Sequence, residues 1–309
     1  MLATPGSRMW QDAAMNAKPH LAGIGFGLLA YGIWGFFPLY FRQLAHISPM
    51  DVLSSRAVWA CVFVGLLLTL RGGWHKVVAV FRTPRRLAML ALAALLVGSN
   101  WLVFLWAVAN EQVVASSLGY FLTPLVNVLL GLVVLKERLN RLEWIAVGFA
   151  VVAIANEVVT LGSLPWVSLF LAITFGTYGL VRKQVPVDAL SGLWLETLAM
   201  LPVCGVYALW QARSGHQVFG GHGLSTATLL LGAGIITALP LMAFAAATQR
   251  LDLATVGMLM YINPTLQFLT AVWIFGEPLQ PERLISFALI WLGLFVFSWS
   301  MWEKYRDRR

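Results

Sequence analysis

Apolar residues fall in runs of about twenty, separated by short polar stretches, and this coarse alternation organises the whole chain. A helix needs about 20 mostly apolar residues to cross a bilayer. Ten segments meet or approach that length: 21–41, 49–70, 87–108, 113–135, 142–159, 165–181, 189–210, 225–248, 253–275 and 284–302. Asn110-Glu111-Gln112 makes the entire turn between the third and fourth, and Leu161-Gly162-Ser163 the turn between the fifth and sixth. Asn140, with Glu143 three residues on, has the spacing of a capping box at the start of the fifth helix. The expected fold is an all-α polytopic membrane protein with ten transmembrane helices.

The pattern repeats at long range. The stretch 119–139, GYFLTPLVNVLLGLVVLKERL, returns as 259–279, LMYINPTLQFLTAVWIFGEPL. Each copy has a proline inside the apolar run, Pro124 and Pro264, and a Glu-X-Leu 13 positions later, at Glu137 and Glu277. The offset of 140 also carries Arg42 onto Arg182, Phe104 onto Phe244, Ala107 onto Ala247 and the loop 71–86 onto 211–226. Each half then holds five helices. An odd number sends the second copy into the membrane from the opposite side. The expected plan is two inverted five-helix repeats, 21–160 and 161–302, between tails 1–20 and 303–309. Secondary transporters use this plan, with their site near the midplane between the halves.

Composition adds an orientation. The chain is 60% hydrophobic and 11% charged, against about 25% charged in a soluble domain. The net charge of +8 would suit nucleic acid, but its placement points to a membrane, where Lys and Arg collect in cytoplasmic loops. With the N-terminus inside, 17 of the 21 Lys and Arg fall on inner segments and three, Arg42, Arg213 and Arg283, on outer ones; Arg56 lies within a helix. Both termini are therefore expected in the cytoplasm. Residues 1–20 are polar and lack the apolar core of a signal peptide, so they read as a cytoplasmic tail. Fourteen Trp and seven Tyr suit interfacial belts. Cys61 and Cys204 sit in apolar segments and read as buried thiols.

Several stretches are similar to one known family: AYGIWGFFPLYF (30–41), SRAVWA (55–60), NWLVFLWAVAN (100–110), SLGYFLTPLVNVLLG (117–131), YGLVRKQVPVDALSGLWLET (178–197), LMAFAAATQRLDLATVG (241–257) and YINPTLQFLTAV (261–272). Together they resemble the RarD branch of the EamA-like permeases, in the drug/metabolite transporter superfamily. The resemblance implies a ten-helix permease of the bacterial inner membrane that moves small metabolites or drugs, usually outward. It brings no shared catalytic motif.

Arg56 is the most informative single residue. It lies about 12 Å into the second helix, where a charge is costly and marks a functional site by default. Its mate at the offset of 140 is Glu196, equally far into the seventh helix. Inversion places Arg56 toward the outer side and Glu196 toward the inner, as gates or substrate anchors at two ends of one path. The plainer reading for Arg56 is a structural one, satisfying backbone carbonyls or snorkelling. Around Pro124 and Pro264, each of which removes a helical hydrogen bond and kinks its helix, gather Thr123, Asn127, Asn263 and Gln267, with Tyr120 and Tyr261 close by. They read as a cavity lining, against the alternative of amides bonding between helices. Asn100, Trp101, Trp34 and Tyr178 are further lining candidates. Gly23, Gly27 and Gly35 make a smooth face for close helix approach. Glu111 reads as a solvated turn residue. Glu277, at a helix C-terminus that disfavours a carboxylate, needs a cation or the start of the next helix.

No Cys/His metal spacing and no phosphate-binding glycine loop occurs, since Gly25-Phe26-Gly27 lies inside a spanning segment. His20, His46, His75, His216 and His222 all lie in tails or loops, which argues against an intramembrane enzyme. The expectation is no catalytic residue, no metal and no cofactor. The expected partners are a small-molecule substrate and membrane lipid, with no nucleic acid; a homodimer stays open. An importer or flippase of the same fold, and a membrane subunit without transport, are the alternatives. The topology is directly testable: a cytoplasm-only fluorescent protein fused after Arg309 should fluoresce, and one inserted after Gly162 should stay dark. The reverse pattern would overturn the orientation.

Overall fold

A computed structural model describes residues 21–134, 136, 139–214, 223–248, 250, 251, 256 and 259–306. The chain is helical throughout, with no strand among the described residues. The elements are α1 (Leu21–Arg42), α2 (Pro49–Leu70), α3 (Trp74–Phe81), α4 (Pro84–Ala109), α5 (Val113–Val134), α6 (Arg141–Leu161), α7 (Trp166–Lys183), α8 (Ala189–Arg213), α9 (Gly223–Thr248), α10 (Ile262–Leu269) and α11 (Pro281–Arg306). Among the described residues eight helices, α1, α2, α4, α5, α6, α8, α9 and α11, are long and apolar enough to cross a membrane. This is a polytopic membrane protein. α7 and α10 fall below that measure. α7 closes on Arg182 and Lys183, and α10 is short because its segment is interrupted.

The helix starts obey local chemistry. At the head of α2, Ser48 accepts from the Met50 N–H and Pro49 occupies the first turn, where a missing N–H costs nothing. Asp188 caps α8 by accepting from the Ser191 N–H. The capping box of α6 forms as its spacing predicts: Asn140 and Glu143 bond each other's backbone N–H. Gly162 ends α6 in the left-handed conformation at φ 64°.

The interruption of α10 follows from Pro264. It offers no N–H to the Met260 carbonyl, so Met260 and Tyr261 form a turn and the helix restarts at Ile262. The predicted kink is therefore a break here. α5, in contrast, runs unbroken through Pro124. α10 ends in a π-helical turn, Thr270–Ile274, with the Phe275 N–H reaching back to the Thr270 carbonyl. Residues 71–86, expected to be loop, contain α3, which packs Val77 and Val80 against α4 and α8.

Three pairs of helices 140 residues apart, α2 with α8, α5 with α10 and α6 with α11, pack on each other. α2 begins at Pro49 and α8 at Ala189; α6 begins at Arg141 and α11 at Pro281. Lys136 and Gly276, also 140 apart, both hold positive φ, 54° and 67°. The α6–α11 contact is antiparallel: Asn140 donates to Ser300 at one end (2.6 Å), and Asn156 to the Glu282 carbonyl and Ser286 at the other (2.7 and 2.8 Å). α5 and α10 pack in the same sense, as Ser116 near the start of α5 bonds Gln267, and Glu277 just beyond α10 bonds the first N–H groups of α5. So do α2 and α8, with Ser48 near Tyr207 and Gly65 near Trp194.

Close helix approach rests on glycines. The face of α1 predicted from Gly23, Gly27 and Gly35 lies against Leu251, Leu259 and Leu266. Gly234 of α9 touches the α2 backbone, so that a Cβ there would meet the Trp59 carbonyl carbon at 2.3 Å and the Ala60 nitrogen at 2.5 Å. Gly234→Leu should therefore destabilise by about 1–3 kcal/mol, the usual cost of overpacking. Gly25→Ala, with open space around it, should be neutral. Unfolding midpoints of the purified variants would check this, and equal midpoints would refute it.

Candidate functional site

Arg56 lies two turns into α2, on the side that faces α9 and α4, and is 2% exposed. The contact permitted by Gly234 brings Thr237 of α9 beside it. Arg56 Nε donates to Thr237 Oγ1 at 2.6 Å, and that hydroxyl donates onward to the Ala233 carbonyl. The guanidinium carbon sits 3.9 Å from the Trp101 ring centroid and 5.3 Å from those of Phe37 and Phe41. These are cation–π distances. Nη1 is buried with no hydrogen-bond partner, and no acidic side chain forms an ion pair with Arg56 among the described residues.

From Arg56 a polar and aromatic ribbon crosses the bundle. Phe41, beside Arg56, meets Phe104 edge-on, and Phe104 leans on the Tyr120 ring of α5. Tyr120 donates to Asn100 Oδ1 (3.1 Å), and Asn100 Nδ2 donates to the Leu171 carbonyl and to Thr174 of α7 (3.0 and 2.9 Å). The Tyr120 ring meets Phe175 edge-on, and Phe175 leans on Tyr178. Tyr178 donates to Glu196 Oε2 of α8 at 3.2 Å. Glu196, also 2% exposed, has its other oxygen 3.2 Å from Arg182 Nε. Arg182 lies one turn beyond Tyr178, so both reach the same carboxylate. Gly192 makes room for it: a Cβ there would lie 2.4 Å from Arg182 Nη2.

The predicted residues thus divide. Arg56, Trp101, Tyr120, Asn100, Tyr178 and Glu196 form one connected set. Gln267 donates to Asn263 one turn back at 2.8 Å and accepts from Ser116 of α5 at 3.3 Å, so Gln267 bonds between helices and Asn263 within its own. Trp34 packs among Tyr31 and Phe244, and Tyr261 lies half-buried against the main core. Asn127 is exposed and lies against Gly176 of α7. Cys61 and Cys204 are buried and free.

Further partnerships emerge only in the fold. Thr237 and Arg182 complete the two charged ends of the ribbon; the spacing of Tyr178 and Arg182, one helical turn, was the available signal. Glu277 is met by the start of a helix distant in sequence. Its two oxygens accept from the Val113 and Val114 N–H groups of α5, each at 2.8 Å, at a helix start whose dipole favours an anion. Burial pushes the Glu277 carboxyl up, opposed by those two N–H bonds and by the charges of Arg283 and Arg42. Glu157, fully buried in α6, sits 3.3 Å from Arg283 of α11. Glu111 is exposed as expected but is also paired with Arg42. Glu137 lies outside the described residues.

Residues 21–156 match the EamA-like transporter family. The chain is 42% identical over 283 residues to Protein RarD of Salmonella typhi, covering 92% of this chain and 96% of that one. It is 43% identical to an uncharacterized transporter of Vibrio cholerae over 89% of this chain and 91% of that one. A chloramphenicol-sensitive protein RarD of Pseudomonas aeruginosa is 34% identical over 90% and 94%. A solved crystal structure shares the fold with a TM-score of 0.58 at 20% identity, covering 90% of this chain and 96% of that chain.

The Glu196 end of the ribbon makes a stability prediction. Arg182→Met strands the Glu196 carboxylate in an apolar interior and should cost about 3–5 kcal/mol. Adding Glu196→Gln should restore most of that loss. A double-mutant cycle on unfolding midpoints measures the coupling; additive losses would show that the pair does not interact.

Proposed function

The chain belongs to the RarD branch of the EamA-like transporter family, and from that premise we propose that it is a secondary-active permease that exports small metabolites or drugs by alternating access. In this reading ten membrane-spanning helices form two inverted five-helix repeats, 21–160 and 161–302. α7 and the interrupted α10 segment supply the spans that fall short by length and apolarity. The protein lies in the bacterial inner membrane with both termini in the cytoplasm.

One observation carries the proposal. Helices 140 residues apart pack antiparallel on each other, α2 with α8, α5 with α10 and α6 with α11, as a pseudo-two-fold axis in the membrane plane requires. Arg56 and Glu196, related by the same offset, stand at opposite ends of the ribbon that crosses this axis. Both are 2% exposed, so the path is closed here and passage requires movement. At the turn at Met260–Tyr261 and the π turn at Thr270–Ile274 the regular α-helical hydrogen-bonding pattern lapses.

The test is metabolite profiling of medium and cytosol in cells carrying the protein or an empty vector. At least one small solute should shift from cytosol to medium with the wild-type protein. Arg56→Ala and Glu196→Ala, at equal membrane levels, should return it to the vector value. No wild-type difference would sink the export reading. Unimpaired variants would remove these two residues from the path.

A further inference from the structure

Arg56 is a cation without a counter-charge. Two other buried charges sit in ion pairs, Glu196 with Arg182 at 3.2 Å and Glu157 with Arg283 at 3.3 Å, and the buried carboxylates of Glu143 and Glu277 take backbone N–H groups. Arg56 instead has a neutral hydroxyl on Nε, an indole on one face, two phenyl rings nearby and a buried Nη1 bonded to nothing among the described residues. Holding an unpaired charge away from water is expensive unless the site serves a ligand. A guanidinium presents a planar fork of donors that matches a carboxylate in geometry as well as charge.

We propose that Arg56 anchors the carboxylate of a small organic monoanion whose apolar or aromatic body lies against Trp101, Phe37 and Phe41. This deepens, and rests on, the permease reading. The single unbalanced charge sets the single anionic charge, since a second would itself be left unpaired in the same apolar surroundings. The rings set the body, because they offer stacking and apolar contact rather than hydrogen bonds. Glu196 at the far end is matched by Arg182 and held by Tyr178, so that end offers no equivalent unpaired cation. The carboxylate of the solute would be recognised at the Arg56 end of the ribbon alone.

The experiment uses the full-length protein in detergent micelles and two probes of nearly equal shape, sodium benzoate and uncharged benzamide, at matched concentration and ionic strength. Benzoate should raise the unfolding midpoint of the wild-type protein by about 2–4 °C, the shift expected for about 1 kcal/mol of ligand stabilisation in a chain of this order of size, and benzamide should not. Arg56→Gln should abolish the benzoate response. Arg56→Lys, which keeps the charge and loses the fork, should weaken it. Equal responses to the two probes, including none to either, overturn the proposal. So does a benzoate response that survives Arg56→Gln. Should Arg56→Gln fail to fold, the wild-type comparison and Arg56→Lys decide. A benzoate-specific shift in a protein that moves no solute would leave the anion site standing and remove the permease reading; solute export without that shift would do the reverse.

Discussion

In a bilayer no water reaches the helix ends and charges that the bundle buries, so each must be satisfied by the protein itself. Most of the specific contacts in this structure answer that demand. Glu277 is the clearest case: its carboxylate stands just beyond α10, yet it satisfies the first N–H groups of α5. One interaction thereby settles a carboxylate at an unfavourable helix terminus and the unpaired donors at another. It also ties the two halves of the chain together. Glu157 with Arg283, and Glu196 with Arg182, solve the same problem between other helices.

Packing sets the second constraint. Lipid tails are as apolar as leucine, so helices gain little from hiding apolar surface from one another and associate through close fit and hydrogen bonds. Gly234 against the α2 backbone, Gly192 beneath Arg182 and the glycine face of α1 provide that fit. Such contacts do more than hold the bundle. Gly234 brings α9 near enough for Thr237 to reach Arg56, and Gly192 leaves the space through which Arg182 meets Glu196. The charged ends of the ribbon exist because small residues were placed one or two turns away.

Against this background the two ends are chemically unlike. Glu196 is neutralised within the protein, and Arg56 is left to aromatic faces and one hydroxyl. An inverted repeat would make the ends equivalent in backbone, and the side chains make them different. The asymmetry extends to the prolines: α5 absorbs Pro124 without interruption, while Pro264 breaks its segment and is followed by a π turn.

Much of this was legible in the sequence because membrane insertion depends on local properties. Segment length, the capping box at Asn140, the turn at Gly162, the offset of 140 and the depth of Arg56 all follow from residues close together or from simple periodicity. The candidate site was only partly legible. Arg56 and Glu196 stand out by depth and a shared offset, and Trp101, Asn100, Tyr120 and Tyr178 by polarity or aromaticity within apolar helices; the tertiary structure joins them. It also joins Gln267 to Ser116 of α5 and to Asn263 on its own helix, leaves Asn127 exposed, and supplies Thr237, Arg182 and the α5 N–H groups that Glu277 meets. The reason is physical. A spanning helix is specified by its own apolarity, but which of its faces meets which neighbour is decided by side-chain fit and hydrogen bonds between residues more than a hundred positions apart. Apolarity and capping chemistry specify most of the helices and the kinship, and only the packed bundle leaves one buried charge paired and its mate unpaired.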